Sequence, residues 1–141
     1  MDNKTKSVVD ITMGVPISRP NELARRIQKG LPFAALARLQ KQYRLSRNEF
    51  IEILAMSQST AKRREADGKL STSEGDKILR YARLLDLTLS LMDGNKENAL
   101  QWLLTPNRAL TGEAPVSYAV TEIGAEMVSD LIGKIEHGVS I

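Results

Sequence analysis

Residues 46–68 read SRNEFIEILAMSQSTAKRREADG and contain the start and stop signals of two short helices. Ser46 and Glu49 have the S-x-x-E spacing of a capping box, in which each side chain bonds the other residue's free backbone N–H. Apolar residues follow at helical spacing, and Ser57 can cap a second helix that ends near an Asp-Gly pair. The stretch therefore predicts two helices joined by a tight turn, over residues 46–55 and 57–67.

A helix pair joined by such a turn is either a DNA-binding helix-turn-helix or an ordinary helical hairpin with a solvated basic face. In the first interpretation, the early residues of the second helix meet base edges in the major groove. Basic residues on both helices then bind phosphates or a guanine edge. The candidate DNA-binding residues are Arg44, Arg47, Ser57, Gln58, Ser59, Thr60, Lys62, Arg63 and Arg64.

Charge is divided unevenly along the chain. Residues 1–70 contain 14 Lys and Arg against 7 Asp and Glu, a balance of +7. Residues 71–141 contain 6 against 10, a balance of −4. This division favours a surface for a polyanion in the first half and a surface for a different partner in the second. Merely solvated faces of opposite sign would give the same counts.

Several residue types that catalysis or metal binding requires are missing from the sequence. There is no cysteine, and His137 is the only histidine, which excludes a thiolate site, a histidine-rich metal centre and a catalytic triad built on another histidine. The first residues lack the apolar core of a signal peptide, and no stretch reaches the roughly 18 apolar residues of a membrane span. We therefore expect a cytoplasmic, non-enzymatic protein that uses no cofactor and no metal.

Start and stop signals elsewhere predict more helices, so the predicted fold class is all-α. Aromatic residues are only 4% of the chain, as in helical bundles with aliphatic cores. Ser71 and Glu74 form a second capping box, and Thr121 can cap a final helix that Gly138 terminates. Pro115 can begin one brief helical turn. Helical patterns cover residues 21–30, 32–44, 71–92, 96–105, 115–118 and 121–138.

The amino-terminal residues follow a different pattern. Residues 1–18 show no helical period, and SVVDITM (7–13) favours a short β-like stretch within a loose arm. We therefore predict three parts, which are an N-terminal arm (1–20), a helix-turn-helix bundle (21–70) and a small helical domain (71–141).

The predicted helix over 71–92 has apolar residues on more than one face. One stripe, which is most simply core, consists of Ile78, Ala82, Leu85, Leu89 and Met92. Three leucines lie off this stripe and indicate burial against a second subunit or partner. The candidate dimerisation residues are Leu84, Leu87 and Leu91.

The final predicted helix carries acidic residues at a spacing of four. Glu122, Glu126 and Asp130 share an outward face, which is either an acidic stripe for a basic partner or a solvated face. His137 lies at the end of this helix, where a cation interacts favourably with the helix dipole. A capping role therefore fits this histidine better than a catalytic one.

The second half of the chain resembles a known family. Its SEGDKILRYARLL (73–85), DGNKENALQWLLTPNRALTGEAP (93–115) and TEIGAEMVSDLIGKIEHGVSI (121–141) resemble the Xre/MbcA/ParS-type toxin-binding antitoxins of RES–Xre toxin–antitoxin modules. The W-L-x-x-P-N-x-A-L-x-G-x-x-P spacing carries most of the specificity. Residues 21–70 resemble the family's Xre-like helix-turn-helix domain more loosely.

The tryptophan motif itself is interpreted as structural. Trp102, Leu103 and Leu104 are expected to pack a short helix into the core, and Thr105-Pro106-Asn107 to end that helix. The loop that follows then aims the final helix.

The resemblance implies an antitoxin that neutralises a RES-domain enzyme that degrades NAD. By this resemblance the second half forms a homodimer and covers the entrance of the toxin's active site, and the complex binds the operator of its own operon. An acidic helix suits a toxin pocket that is basic because it binds a dinucleotide. The candidate toxin-binding residues are Glu126, Asp130, Lys134, His137, Val139, Ser140 and Ile141.

Two other function classes compete with an antitoxin. A stand-alone helix-turn-helix transcriptional regulator or a protein-localisation adaptor would use the same two halves with other partners. An enzyme is disfavoured, because the sequence offers neither an assembled catalytic set nor a glycine-rich phosphate loop.

Overall fold

The computed structural model describes residues 6–138, and within them the fold is all-helical. Nine α-helices and one 3₁₀ turn, Arg108–Leu110, account for the regular structure of this range. The α-helices are α1 (Val8–Met13), α2 (Pro20–Lys29), α3 (Ala34–Gln42), α4 (Arg47–Ile53), α5 (Gln58–Asp67), α6 (Thr72–Leu91), α7 (Lys96–Leu104), α8 (Pro115–Tyr118) and α9 (Glu122–Glu136).

Helix α6 is the centre of the fold and packs against α1, α2, α3, α7 and α9. It begins at the predicted capping box, in which Ser71 Oγ accepts from the backbone N–H of Glu74 and the Glu74 carboxylate accepts from that of Ser71. Of the predicted stripe, Ile78, Ala82 and Leu85 are fully buried, whereas Leu89 and Met92 at its carboxyl end are only partly buried. One helix of 20 residues therefore supplies core to both halves of the chain.

Helix α1 contradicts the prediction of a loose, β-like arm. Val8, Val9 and Met13 belong to the buried core. The Asp86 carboxylate of α6 accepts the backbone N–H groups of Val8 at 2.8 Å and Val9 at 3.0 Å. The two adjacent valines favour a strand in isolation, but this tertiary cap and the packing against α6 stabilise a helix.

The motif around Trp102 is only partly in the core. Leu100 and Leu103 of α7 are buried, whereas Trp102 is half-buried and Leu104 is 38% exposed. The prediction that Leu104 packs inward is wrong, because it lies about 100° around the helix from Leu103 and leaves the buried stripe. The helix ends before Pro106 as predicted.

The last two helices follow their sequence signals. Pro115 is the first residue of α8, and Thr121 Oγ1 accepts from the backbone N–H of Gly124 to cap α9. Val128, Leu131 and Ile132 point into the core. At the start of α9 the backbone of Gly124 lies against the carbonyl oxygen of Tyr118, with no room for a side chain.

Among residues 6–138, none of the helices has the length and apolar character that a membrane-spanning helix requires.

Candidate nucleic-acid interface and partner surfaces

Helices α4 and α5 form the predicted pair. The Ser46–Glu49 capping box starts α4, and the pKa of the Glu49 carboxyl is lowered by its hydrogen bonds from the side chain and backbone of Ser46. The turn between the helices includes Ala55, whose φ of 55° lies in the left-handed region. Ala61 of α5 is fully buried, so the small side chain brings the second helix close to the core. This geometry is that of a helix-turn-helix.

The first turn of α5 contains both capping and exposed polar groups. Ser57 Oγ accepts from the backbone N–H of Thr60 and donates to the Thr60 hydroxyl, so these two side chains are committed to the helix start. Gln58 and Ser59 are exposed, and Gln58 Nε2 donates to Asn48 Oδ1 across the turn at 3.2 Å. Gln58 and Ser59 are therefore the residues of this turn best placed to meet base edges.

Lys62 and Arg63 lie one turn further along α5 and are exposed. Within the described range neither side chain takes part in an ion pair. Both cations are therefore accessible to phosphates or to a guanine edge, as the sequence predicts.

Arg64 has a different role from the predicted DNA contact. Its Nε donates to Glu74 Oε1 at 2.8 Å, and only 25% of the side chain is exposed. Burial raises the pKa of the Glu74 carboxyl, but hydrogen bonds from Ser71 and from the Arg64 guanidinium outweigh it and lower that pKa overall. Arg64 thus joins α5 to α6. We correct its assignment, because a guanidinium held by a carboxylate within the fold is not free to bind phosphate.

Arg47 and Arg44 differ in how far their side chains are held by other residues. Arg47 makes a bidentate salt bridge to the Glu65 carboxylate, with N–O distances of 3.0 and 3.1 Å. Its Cζ lies 5.2 Å from the centre of the Phe33 ring. It therefore ties α4 to α5 while remaining partly exposed. Arg44 is exposed, at a φ of 55° in the loop before α4.

Lys96, at the start of α7, lies near Arg44 of the candidate DNA-binding surface, which the sequence analysis did not predict. Burial lowers the pKa of its ammonium, and the neighbouring Arg44 lowers it further. Lys96 Nζ also donates to the Gln42 side chain, which joins α7 to the end of α3. Because Arg44 and Lys96 are 52 positions apart in the chain, no local pattern could reveal this pair.

The three candidate dimerisation leucines are not equivalent. Leu84 is only 3% exposed within its own chain, whereas Leu87 is 39% exposed and Leu91 is partly buried. The prediction for Leu84 is corrected, because packing against the chain's own helices already covers it. Leu84 and Leu87 lie in a groove of about 470 Å³ between α6 and α9, whose rim includes Glu122 and Glu126.

The outer face of α9 is polar with two apolar side chains. Four predicted toxin-binding residues, Glu126, Asp130, Lys134 and His137, are exposed there. Val139, Ser140 and Ile141 lie outside the described residues. The sequence analysis overlooked Ile123 and Met127, which are 65% and 44% exposed and lie one turn apart. Their i, i+4 spacing next to acidic positions is the signal that could have identified them.

This fold combines a helix-turn-helix with a carboxyl-terminal helical domain that has an exposed outer helix, which defines a two-domain binding protein. Residues 22–83 match the antitoxin Xre-like helix-turn-helix domain, and residues 85–138 match the antitoxin Xre/MbcA/ParS C-terminal toxin-binding domain. The two matched segments meet at Leu84, inside α6.

Two curated relatives extend over most of the chain. Antitoxin Xre of Yersinia enterocolitica is 33% identical over 128 residues, covering 90% of this chain and 86% of the relative. Antitoxin Xre of Photorhabdus laumondii is 33% identical over 129 residues, covering 91% of this chain and 87% of the relative. The chain belongs to the Xre antitoxin family of toxin–antitoxin systems.

Membership of this family confirms the resemblance and the all-α fold with its two-domain order. The protein is a non-enzymatic antitoxin with a DNA-binding domain and a toxin-binding domain. Its partners are accordingly DNA and a cognate toxin.

Proposed function

We propose that this antitoxin neutralises a RES-domain toxin that degrades NAD, acting in the cytoplasm, and that it represses its own operon as part of the toxin complex. The observation that carries the neutralisation is the exposed outer face of α9, the last helix of the toxin-binding domain. The W-L-x-x-P-N-x-A-L-x-G-x-x-P motif supports the choice of a RES-domain partner.

The inhibition we propose is steric. Glu126 and Asp130 lie on the exposed face of α9 and are complementary to a toxin pocket that is basic because it binds a dinucleotide. Lys134 and His137 continue this face toward the carboxyl end. Val139, Ser140 and Ile141 are assigned to the same toxin contact from the sequence alone. When this segment occupies the entrance of the active site, NAD cannot enter.

Repression requires two helix-turn-helix units on one DNA. We propose a homodimer through Leu87 and Leu91, so that two copies of α5 read half-sites separated by one helical turn of DNA or a multiple of it, about 34–36 Å per turn. In each copy Gln58 and Ser59 face base edges, while Arg44, Lys62 and Arg63 bind phosphates or a guanine edge. The exposure of these side chains supports the assignment.

Two variants test the two activities separately. The cognate toxin is expressed with wild-type antitoxin, with a chain that ends at Ile132, or with Arg63→Ala, and growth and cellular NAD are measured. We expect the shortened chain to lose neutralisation but still to shift promoter DNA, and Arg63→Ala to do the reverse. Full neutralisation by the shortened chain would refute the assigned toxin site, and a toxin that leaves NAD intact would refute the RES-domain partner.

A further inference from the structure

Helix α2 presents a row of cations that neither the helix-turn-helix nor the toxin surface includes. Leu23 and Ile27 bury one side of this helix, and Arg25, Arg26 and Lys29 are exposed on its other side. We call these three residues the α2 ridge. Within residues 6–138 they take part in no ion pair, whereas the nearby Arg19 lies 3.5 Å from Glu22.

The segment that follows α2 is hydrogen-bonded to the residues that follow the recognition helix α5. The backbone N–H of Leu70 donates to the carbonyl oxygen of Leu31 at 2.8 Å, and that of Phe33 donates to Gly68 at 2.9 Å. Beside these bonds the side chain of Lys69 passes Gly30, within 3.5 Å of the position that a Cβ would occupy there. Lys69 therefore extends the row of cations from the last residue of α2 to the end of α5.

The length of α5 indicates where these cations would lie relative to a bound DNA duplex. A helix of 10 residues is about 15 Å long, and the major groove of B-DNA is about 12 Å wide. When the first turn of α5 meets the bases, its far end therefore reaches the phosphate wall of the groove. Lys69 lies at that end, beside Gly30, and the α2 ridge begins next to it with Lys29.

The composition of the ridge favours a polyanion over a protein partner. Most exposed side chains of α2 are charged or amide, with Asn21, Glu22 and Gln28 beside the cations, and its exposed residues without a polar side chain are the small Pro20 and Ala24. Protein interfaces have apolar centres that are depleted in charged residues, and this face has no apolar centre. Phosphates, by contrast, are bound by rows of Arg and Lys on flexible stems.

We propose that the α2 ridge, continued by Lys69, binds the DNA phosphate backbone next to the bases that α5 reads. The inference rests on the proposed binding of DNA through α5 and adds to it a second contact surface, contributed by a helix outside the helix-turn-helix. Because these contacts are to phosphate, they raise affinity for every DNA sequence equally and increase its dependence on salt.

The test measures binding to a 40-base-pair duplex of mixed sequence at several salt concentrations, using the full chain. The variants are Arg25→Gln, Lys29→Gln and the two together, and Arg108→Gln is the matched control because it removes one exposed cation from the other domain. We expect each ridge substitution to lower the slope of log K against log salt by about 0.9, and to weaken binding roughly fivefold to tenfold at 0.1 M salt. The control should keep the wild-type slope.

The outcomes separate this inference from the proposed function. Wild-type protein that binds no duplex, either alone or in complex with its cognate toxin, would refute the proposed DNA binding itself. If wild type binds and Arg63→Ala weakens binding, but the double ridge variant keeps the wild-type slope, only the ridge is refuted. A double variant that binds DNA normally but loses the toxin would also refute it, and would assign the ridge to an acidic protein surface.

Discussion

The hydroxyl of Tyr81 donates a hydrogen bond to the backbone carbonyl of Val116 at 2.8 Å and lies 3.4 Å from that of Ile53. Val116 belongs to α8 in the toxin-binding domain, and Ile53 ends α4 of the helix-turn-helix. Lys77 Nζ adds a bond to the carbonyl of Leu54 at 2.6 Å. Helix α6 thus supplies polar partners to both domains, and we expect them to unfold together.

Tyr81→Phe tests this junction. The substitution keeps the buried ring and removes the hydroxyl that donates to the Val116 carbonyl and lies near that of Ile53, so at least one carbonyl loses this partner. Burial raises the pKa of Tyr81, so the hydroxyl remains a donor at neutral pH. We expect a loss of about 1–3 kcal/mol in the free energy of unfolding, measured by urea denaturation.

Tyr118→Phe is the control for Tyr81→Phe. The Tyr118 hydroxyl is exposed and lies 3.6 Å from the Met127 sulfur. Its removal should change stability by less than about 0.5 kcal/mol. Equal effects of the two substitutions would contradict a special role for the Tyr81 junction.

The two capping boxes allow the Arg64–Glu74 ion pair to be measured. Glu49→Gln and Glu74→Gln change the same position of a capping box, but only Glu74 also binds an arginine. We expect Glu74→Gln to lower the free energy of unfolding by about 1–3 kcal/mol, because the partly buried Arg64 guanidinium loses its closer charged partner and keeps only Asp67 at 3.9 Å, and Glu49→Gln to have a smaller effect. A loss from Glu74→Gln no greater than that from Glu49→Gln would contradict this view.

The same ion pair predicts a dependence on pH. The folded-state pKa of Glu74 is lowered from its usual 4.5, so its contribution to stability is fully present above that value. As the pH falls through the lowered pKa, the carboxylate is protonated and the contribution is lost. Unfolding measured from pH 7 down to pH 3 should therefore show a difference between wild type and Glu74→Gln that shrinks in acid. A constant difference would argue against this origin.

Two glycines of α9 should respond oppositely to alanine. A Cβ at Gly124 would overlap the carbonyl oxygen of Tyr118, whereas one at Gly133 would meet no atom within 4 Å. We expect Gly124→Ala to destabilise the protein by about 3 kcal/mol and Gly133→Ala to stabilise it by about 0.5–1 kcal/mol. Thermal melting compares them directly, and tolerance of alanine at 124 would show that α8 and α9 can separate there.

The neighbours Arg63 and Arg64 should separate DNA binding from stability. Arg63→Ala removes an exposed cation, so we expect weaker DNA binding and an unchanged free energy of unfolding. Arg64→Ala breaks the bond to Glu74 and should lower that free energy by about 1–3 kcal/mol. Gel-shift and urea titrations of both variants provide the comparison, and a stability loss confined to Arg63→Ala would reverse the assignment.

The sequence by itself determined most of the helices. Ser46, Ser57, Ser71 and Thr121 each accept a backbone hydrogen bond at a helix start, as their local patterns predict. Capping and helical periodicity act over a few residues, so both can be recognised in a single sequence. The resemblance of residues 71–141 likewise sufficed to identify the family.

Only the tertiary structure decided which side chains are free to bind. Arg63 and Arg64 are adjacent and chemically identical, yet only Arg64 meets Glu74 of the next helix. Likewise Asp86 caps a helix that begins 78 residues earlier in the chain, which converts a strand-like stretch into α1. Contacts between distant segments depend on how the helices pack, and no short-range spacing encodes them. For this reason the sequence predicted which helices carry the candidate DNA and toxin surfaces. Only the packed structure showed which side chains on those helices are exposed and which are held by other residues.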